Sequence, residues 1–344
     1  MSGRERVLCA LRFARPDRAP RDLWHLPGIA MLRGAELSEM LRRFPPDLAR
    51  PSARYARGDR ERGEPGRVGT YADEWGCVWH AAEPGVVGEV KGAPLADWPA
   101  FDHYRPPFEV LRKTDLGPVD RECAASACFM LASTAVRPFE RMQFLRGTER
   151  LLLDLARRPA ALDRLRDMVH DFFCREIEMW TRTAVDGIAF MDDWGTQRGL
   201  LIAPELWRAL FRPLYADYCR IIHAAGKFVF FHSDGHIAEI IPDLIEIGVD
   251  ALNAQLFCMD IEQIGRRHRG RIAFWGEIDR QRILPFGDTA EVRAAVRRVR
   301  RALDDGRGGL FAQCEWGIGV PAANVAAVFE EWLLPASELA AVPS

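Results

Sequence analysis

Beyond about residue 124 the chain alternates short apolar runs, each ended by a polar cluster, with longer stretches of helical period. That rhythm is the signature of repeated βαβ units and of a parallel sheet. The runs at 127–131, 187–191, 227–231, 250–252, 272–275 and 309–312 read as strands. They close on Ser133 and Thr134, on Asp192 and Asp193, on His232 and Asp234, on Asn253, near Glu277, and on Cys314 and Glu315. Between them, Pro204 opens a helix whose stripe Leu206, Leu210, Leu214, Tyr218 and Ile222 ends at Gly226. Asp288 with Glu291 three residues later predicts a capped helix start, with Val292, Val296, Val299 and Leu303 inward and its arginines solvated. Helices are also expected over 160–181, 236–247 and 261–268. The first 120 residues are less regular: 21–24 reads as the first strand, while 44–69, crowded with Pro, Gly and Arg, reads as a long excursion.

Length narrows the architecture. A chain of 344 residues has the size of an α/β barrel with insertions, and neither a linker nor an internal repeat divides it. The expected fold is therefore a single (β/α)8 TIM-type barrel domain over 1–344 with N-terminal excursions. With 47 Lys and Arg against 49 Asp and Glu, the chain lacks the basic footprint of nucleic-acid binding. Its apolar runs are too short for a membrane span, and its charged start is unlike an export signal. The eight cysteines show no paired spacing, which predicts reduced thiols and a cytoplasmic protein.

A parallel barrel carries its chemistry on the loops after its strands, because these converge on one mouth. The residues expected there are Asp192, Asp193, His232, Asp234, Asn253, Glu277, Cys314 and Glu315, with Trp194, Trp275 and Trp316 beside them. His232, Asp234 and Cys314 offer nitrogen, oxygen and sulfur ligands of the kind zinc takes at a catalytic site. Glu277 is then a fourth ligand or the proton-transfer partner. The competing reading has the acids capping helices, His232 hydrogen-bonded, Cys314 buried and the tryptophans packed against the rim.

Four stretches carry a resemblance: FMDDWGTQRGLLIAPELW, HAAGKFVFFHSDGHIAEIIPDLIEIGVDALN, FWGEIDRQRILPFG and QCEWGIGVPAANV. Over 190–325 the chain resembles the uroporphyrinogen decarboxylase superfamily, with weaker likeness at both ends, including Glu5 to Leu8 and Pro16 to Arg18. The resemblance implies a distorted (β/α)8 barrel and a homodimer. True decarboxylases of the superfamily hold substrate carboxylates with N-terminal arginines. Here the equivalent stretch, from Asp22 through His25 to Gly28, lacks them, Arg21 being the nearest. The cobalamin-linked methyltransferase branch binds zinc through His-x-Cys and a distant Cys. His232 and Cys314 match the outer positions of that set, and Asp234 replaces the middle Cys, giving a harder site.

The resemblance thus implies a zinc-dependent methyltransferase or demethylase. It would move a methyl group from a small substrate to a corrinoid carried by a partner protein. Asp193 and Glu277 are its candidate catalytic acids, and Asp192, Trp194, His25, Asn253, Trp275, Trp316 and Glu315 its candidate substrate contacts. The alternatives are a decarboxylase (carboxy-lyase) of porphyrin metabolism and a non-catalytic barrel that binds a tetrapyrrole or corrinoid.

Overall fold

The computed structural model describes residues 1–85 and 88–334. Eight parallel strands form the central sheet: β1 (Arg21–His25), β2 (Leu48–Ala49), β6 (Phe129–Ser133), β7 (Gly187–Met191), β8 (Phe228–Ser233), β9 (Ala251–Ala254), β10 (Ala273–Trp275) and β11 (Leu310–Trp316). Their spatial order is β1, β11, β10, β9, β8, β7, β6, β2. The sheet closes where β1 meets β2: Asp47 N–H donates to the Arg21 carbonyl at 2.9 Å, and the Asp47 carboxylate accepts the Arg21 N–H at 2.7 Å. Flanked by helices, this is a nearly closed (β/α)8 barrel, as the sequence predicts.

Two apolar layers hold it together. Leu48, Phe129, Leu131, Phe230, Ala251, Ala273, Trp275 and Phe311 fill the barrel. A larger cluster, including Leu252, Phe274, Ala312 and Cys314, packs the outer face of the strands against the helices. Both faces are therefore buried, which is why the strands read as continuous apolar runs.

Among the expected helices, Ala160–Thr181 and Ile261–His268 keep their predicted bounds. The Asp288 capping box forms at the start of Thr289–Leu303. The long stripe after Pro204 is interrupted: Pro204–Leu210 and Arg212–Ala224 meet at Phe211, where Pro213 withholds a backbone donor. Of 236–247 only Ile241–Glu246 is α-helical.

The excursion hides β2, too short and too closely flanked by proline to register as a strand. It is followed by a separate antiparallel sheet, β3 (Gly69–Ala72), β4 (Val78–Ala81) and β5 (Glu89–Gly92). Buried Asp73 organises this unit by accepting from Trp75 N, Cys77 N, Trp79 Nε1 and Arg141. Trp75 docks it edge-on to Phe172 of the Ala160–Thr181 helix, with ring centroids 4.6 Å apart. No helix among the described residues is long and apolar enough to cross a membrane.

Candidate functional site at the barrel mouth

Strand parity decides which side chains reach the mouth. On β8, Phe228 and Phe230 pack inside the barrel, so His232, two further along, also faces the interior. Its Nδ1 lies 2.6 Å from Asn253 Oδ1 on β9. Asn253 Nδ2 donates to the Trp275 carbonyl, which fixes the amide and leaves only its oxygen toward the imidazole. His232 Nδ1 must therefore carry the hydrogen, and Nε2 presents a lone pair.

That lone pair faces two carboxylates. Asp193 Oδ1 is 3.6 Å from Nε2 and Asp234 Oδ1 is 3.5 Å from it, both too long for good hydrogen bonds. The ligand atoms of Asp193, His232 and Asp234 lie within 4.8 Å of one another. Asp234 Oδ1 is buried without a hydrogen-bond partner. Asp193 is braced by the Asp234 N–H at 2.9 Å. Three acceptors converging on one point, one of them orphaned, fit a divalent cation; an oxygen-rich set of this kind suits a borderline or hard ion.

The loop that carries Asp234 is sterically determined. Gly235 has φ +80°, and a Cβ there would stand 2.1 Å from the Gly195 carbonyl oxygen. The chains after β7 and β8 thus touch backbone to backbone, which brings Asp193 and Asp234 together.

Beside this cluster lies a cavity of about 330 Å³. Leu23, Ala189, Phe190 and Met191 supply apolar wall, His25, Ser133, Thr134 and Glu315 polar wall, and Trp24 and Trp275 its aromatic end. The Trp24 and Trp275 rings meet edge-on at 5.0 Å. Both indole N–H groups donate to Asp22 Oδ2 at 2.9 Å, and Arg50 clamps the same carboxylate at 2.8 and 3.1 Å.

Arg280 is the second organiser. It donates to Asp234 and to Glu315 at 3.1 Å, and its Nε lies 3.6 Å from Glu277. Burial pushes the Glu277 carboxyl up to about 8, with Arg280 pulling against it. Glu140, at the start of the helix after β6, is likewise pushed up by burial, while Arg137 draws it down.

Several expected residues lie elsewhere. Cys314 is out of phase with Phe311, Gln313 and Glu315: it packs in the strand–helix layer, fully buried, and is not one of the converging ligand atoms. Trp316 shares that outward parity and donates to the Val320 carbonyl. Trp194 is fully buried, stacked on Phe139 at 4.1 Å and bonded to the Tyr215 hydroxyl. Asp192 caps the Pro138–Arg146 helix through Phe139 N and Glu140 N, and accepts from Tyr215. Asn253 sits behind His232. His25, Trp275 and Glu315 line the cavity, and Glu277 stands on the far side of Arg280. The sequence reading missed Asp22, Arg50, Glu140 and Arg280; Arg280 had a signal, a cation three residues past Glu277.

A (β/α)8 barrel with an imidazole–carboxylate cluster at the C-terminal mouth defines the class of protein. The uroporphyrinogen decarboxylase (URO-D) family model matches residues 125–332, and the chain belongs to that family. Among curated proteins none matches. Among solved structures, a methyltransferase from Methanosarcina mazei superposes with TM-score 0.70 at 14% identity, over 96% of this chain and 98% of that one. A glycoside hydrolase family 10 endo-β-1,4-xylanase from Gloeophyllum trabeum reaches TM-score 0.47 at 11% identity, over 94% and 99%, and carries no argument here.

Proposed function

We propose that this protein is a metal-dependent methyltransferase or demethylase that moves a methyl group from a small substrate to a corrinoid on a partner protein. The observation that carries this reading is the meeting of His232 Nε2 with the Asp193 and Asp234 carboxylates beside a cavity of substrate size. The family match and the methyltransferase neighbour support it. His232, Asp193 and Asp234 would hold the cation, zinc being the first candidate, and Cys314 drops out of the ligand set. When bound, such an ion supplies Lewis acidity to the heteroatom that bears the methyl group.

The remaining work falls to the chain. Trp24 and Trp275 hold the substrate's apolar part and exclude water. Asn253 holds His232 in the tautomer that a ligand needs. Glu277 keeps a proton near neutrality but lies across Arg280 from the aromatic cavity, so its part in this reading is to hold Arg280, which in turn holds Asp234. The free thiols agree with a cytoplasmic setting, and the resemblance suggests a homodimer, which light scattering would reveal.

The test is metal content and methyl transfer together. Protein purified without chelators should carry about one zinc per chain, lost in His232→Ala and Asp234→Ala and retained in Cys314→Ala. With a reduced corrinoid protein and methylated amines or aryl methyl ethers, wild type should methylate cobalt and the metal-free variants should not. Carbon dioxide release from a carboxylated substrate by a metal-free, fully active enzyme would replace this reading with the decarboxylase one.

A further inference from the structure

On the same face of the barrel, beyond Arg280, lies a second cavity of about 400 Å³, lined by Gln197, Arg198, Gln255, Glu277, Asp279 and Arg282 among others. Its residues come from the loops after β7, β9 and β10, so it is assembled only by the folded mouth. Its chemistry differs from that of the aromatic cavity, because its wall is largely amide, guanidinium and carboxyl groups.

Two features make it an unfilled polar site. The Glu277 side chain is buried to 2% exposure, and its Oε1 has no hydrogen-bond partner. Burial keeps this carboxyl protonated near neutrality, so it can donate to an acceptor oxygen seated in the cavity and recover the free energy that an unpaired buried polar group costs. The second feature is the charge at the rim. Arg198 and Arg282 flank this one cavity from different loops, and neither has an ion pair among the described residues.

Neither guanidinium is engaged by the neighbouring acids. Asp279 spends its Oδ1 on the Gln281 and Arg282 backbone N–H groups, at 2.9 Å each, and Arg280 faces Glu277 from the other side. Gln255 is held by its oxygen, which accepts Gly235 N–H at 2.9 Å and Gln197 Nε2 at 3.0 Å. Its own Nε2 is thereby left as a free donor. Guanidinium forks and an amide N–H around a confined space match the acceptor oxygens of a carboxylate or phosphate.

We propose that this second cavity is a binding site for a small oxyanion, a carboxylate or a phosphate group, held by Arg198 and Arg282 with Gln255 and Glu277 at its floor. It stands apart from the cation cluster, so it does not require the methyltransferase reading to be correct. If both hold, the anion belongs to a second reactant or to the polar end of the substrate, seated across Arg280 from the aromatic cavity.

Calorimetric titration at fixed ionic strength with inorganic phosphate and, separately, with acetate tests this. One of the two should bind saturably to wild type, and which one does identifies the oxyanion. Arg198→Ala and Arg282→Ala, both surface changes that leave the fold intact, should each weaken binding at least 10-fold, and the double variant should abolish it. His232→Ala should bind like wild type. Absence of binding by both anions overturns the proposal. So does binding untouched by the arginine changes, as at the Arg266, Arg269 and Arg298 groove, or binding lost in His232→Ala alone, which would put the anion at the cation cluster.

Discussion

At the scale of single residues, Asn253 decides what His232 can do. An amide held by the Trp275 carbonyl offers the imidazole only an acceptor, and this leaves the lone pair on Nε2, where a cation could take it. Asn253→Ala removes that constraint and should weaken zinc binding by about 10- to 100-fold, measured by competition with a chromogenic chelator. Asn253→Asp keeps an acceptor and should retain most of the affinity. Glu277 gives a prediction of opposite kind. Its folded-state carboxyl titrates near 8 against an ordinary value of 4.5, so between those values the native state holds a proton that the unfolded chain has released. Stability of the metal-free protein should therefore fall as pH rises from about 5 to 8, by up to about 1.4 kcal/mol per pH unit. Urea unfolding would show the slope, and Glu277→Gln should flatten it. The same scale shows where the sequence misleads. Cys314 and Glu315 both end the last strand, and only one of them can face the mouth. The run Ala312, Gln313, Cys314, Glu315, Trp316 alternates apolar with polar, which puts Cys314 in phase with Ala312 and Trp316 against the helices. Reading the strand's end as one polar cluster overlooks that alternation and takes the sulfur for a ligand when it is packing. His232, Asp193 and Asp234 are legible because each follows a strand whose end a polar cluster marks.

At the scale of elements, the close crossing of two loops positions the cluster. Gly195 and Gly235 touch, and a Cβ at Gly195 would lie 2.4 Å from the His236 nitrogen. Gly235 adds a left-handed φ of +80°, which a Cβ disfavours. Gly235→Ala should cost about 1–3 kcal/mol in stability by thermal or urea unfolding. It should also lose zinc binding beyond what the stability change explains, because Asp234 moves with the loop; a variant that is destabilised but binds zinc normally would separate the crossing from the site. The regular elements were readable because each carries a local cause: the Asp288 capping box, Pro204 at a first turn, and Gly226 in the left-handed region at φ +70°. What was not readable depends on partners far away in sequence. The residues Leu48–Ala49 form a strand because β6 pairs with them, and the β3–β5 sheet because Asp73 gathers its turn and Trp75 packs on a helix that begins at Ala160.

At the scale of the whole molecule, the barrel has one weak seam, between β1 and β2, where the ladder is replaced by a charged clasp. Asp47, 3% exposed, accepts Arg6 at 2.6 Å, Arg18 at 2.6 Å and the Arg21 backbone N–H at 2.7 Å. Arg6 in turn clamps Asp17 at 2.6 and 2.8 Å. Arg6, Asp17 and Arg18 thus latch the first helix and the first strand to the second. Asp47→Ala takes one of two carboxylates from Arg6, which keeps its hold on Asp17, and leaves the Arg21 N–H without this acceptor; it should destabilise the protein by about 1–3 kcal/mol in urea unfolding. Because β1 carries Asp22, Trp24 and His25 to the cavity, loosening this seam should also shift substrate binding while leaving zinc affinity near wild type, since Asp193, His232 and Asp234 come from β7 and β8 on the opposite side of the sheet. A loss of zinc in Asp47→Ala that matches its loss of stability would mean instead that the barrel opens as one cooperative unit, with no separate seam.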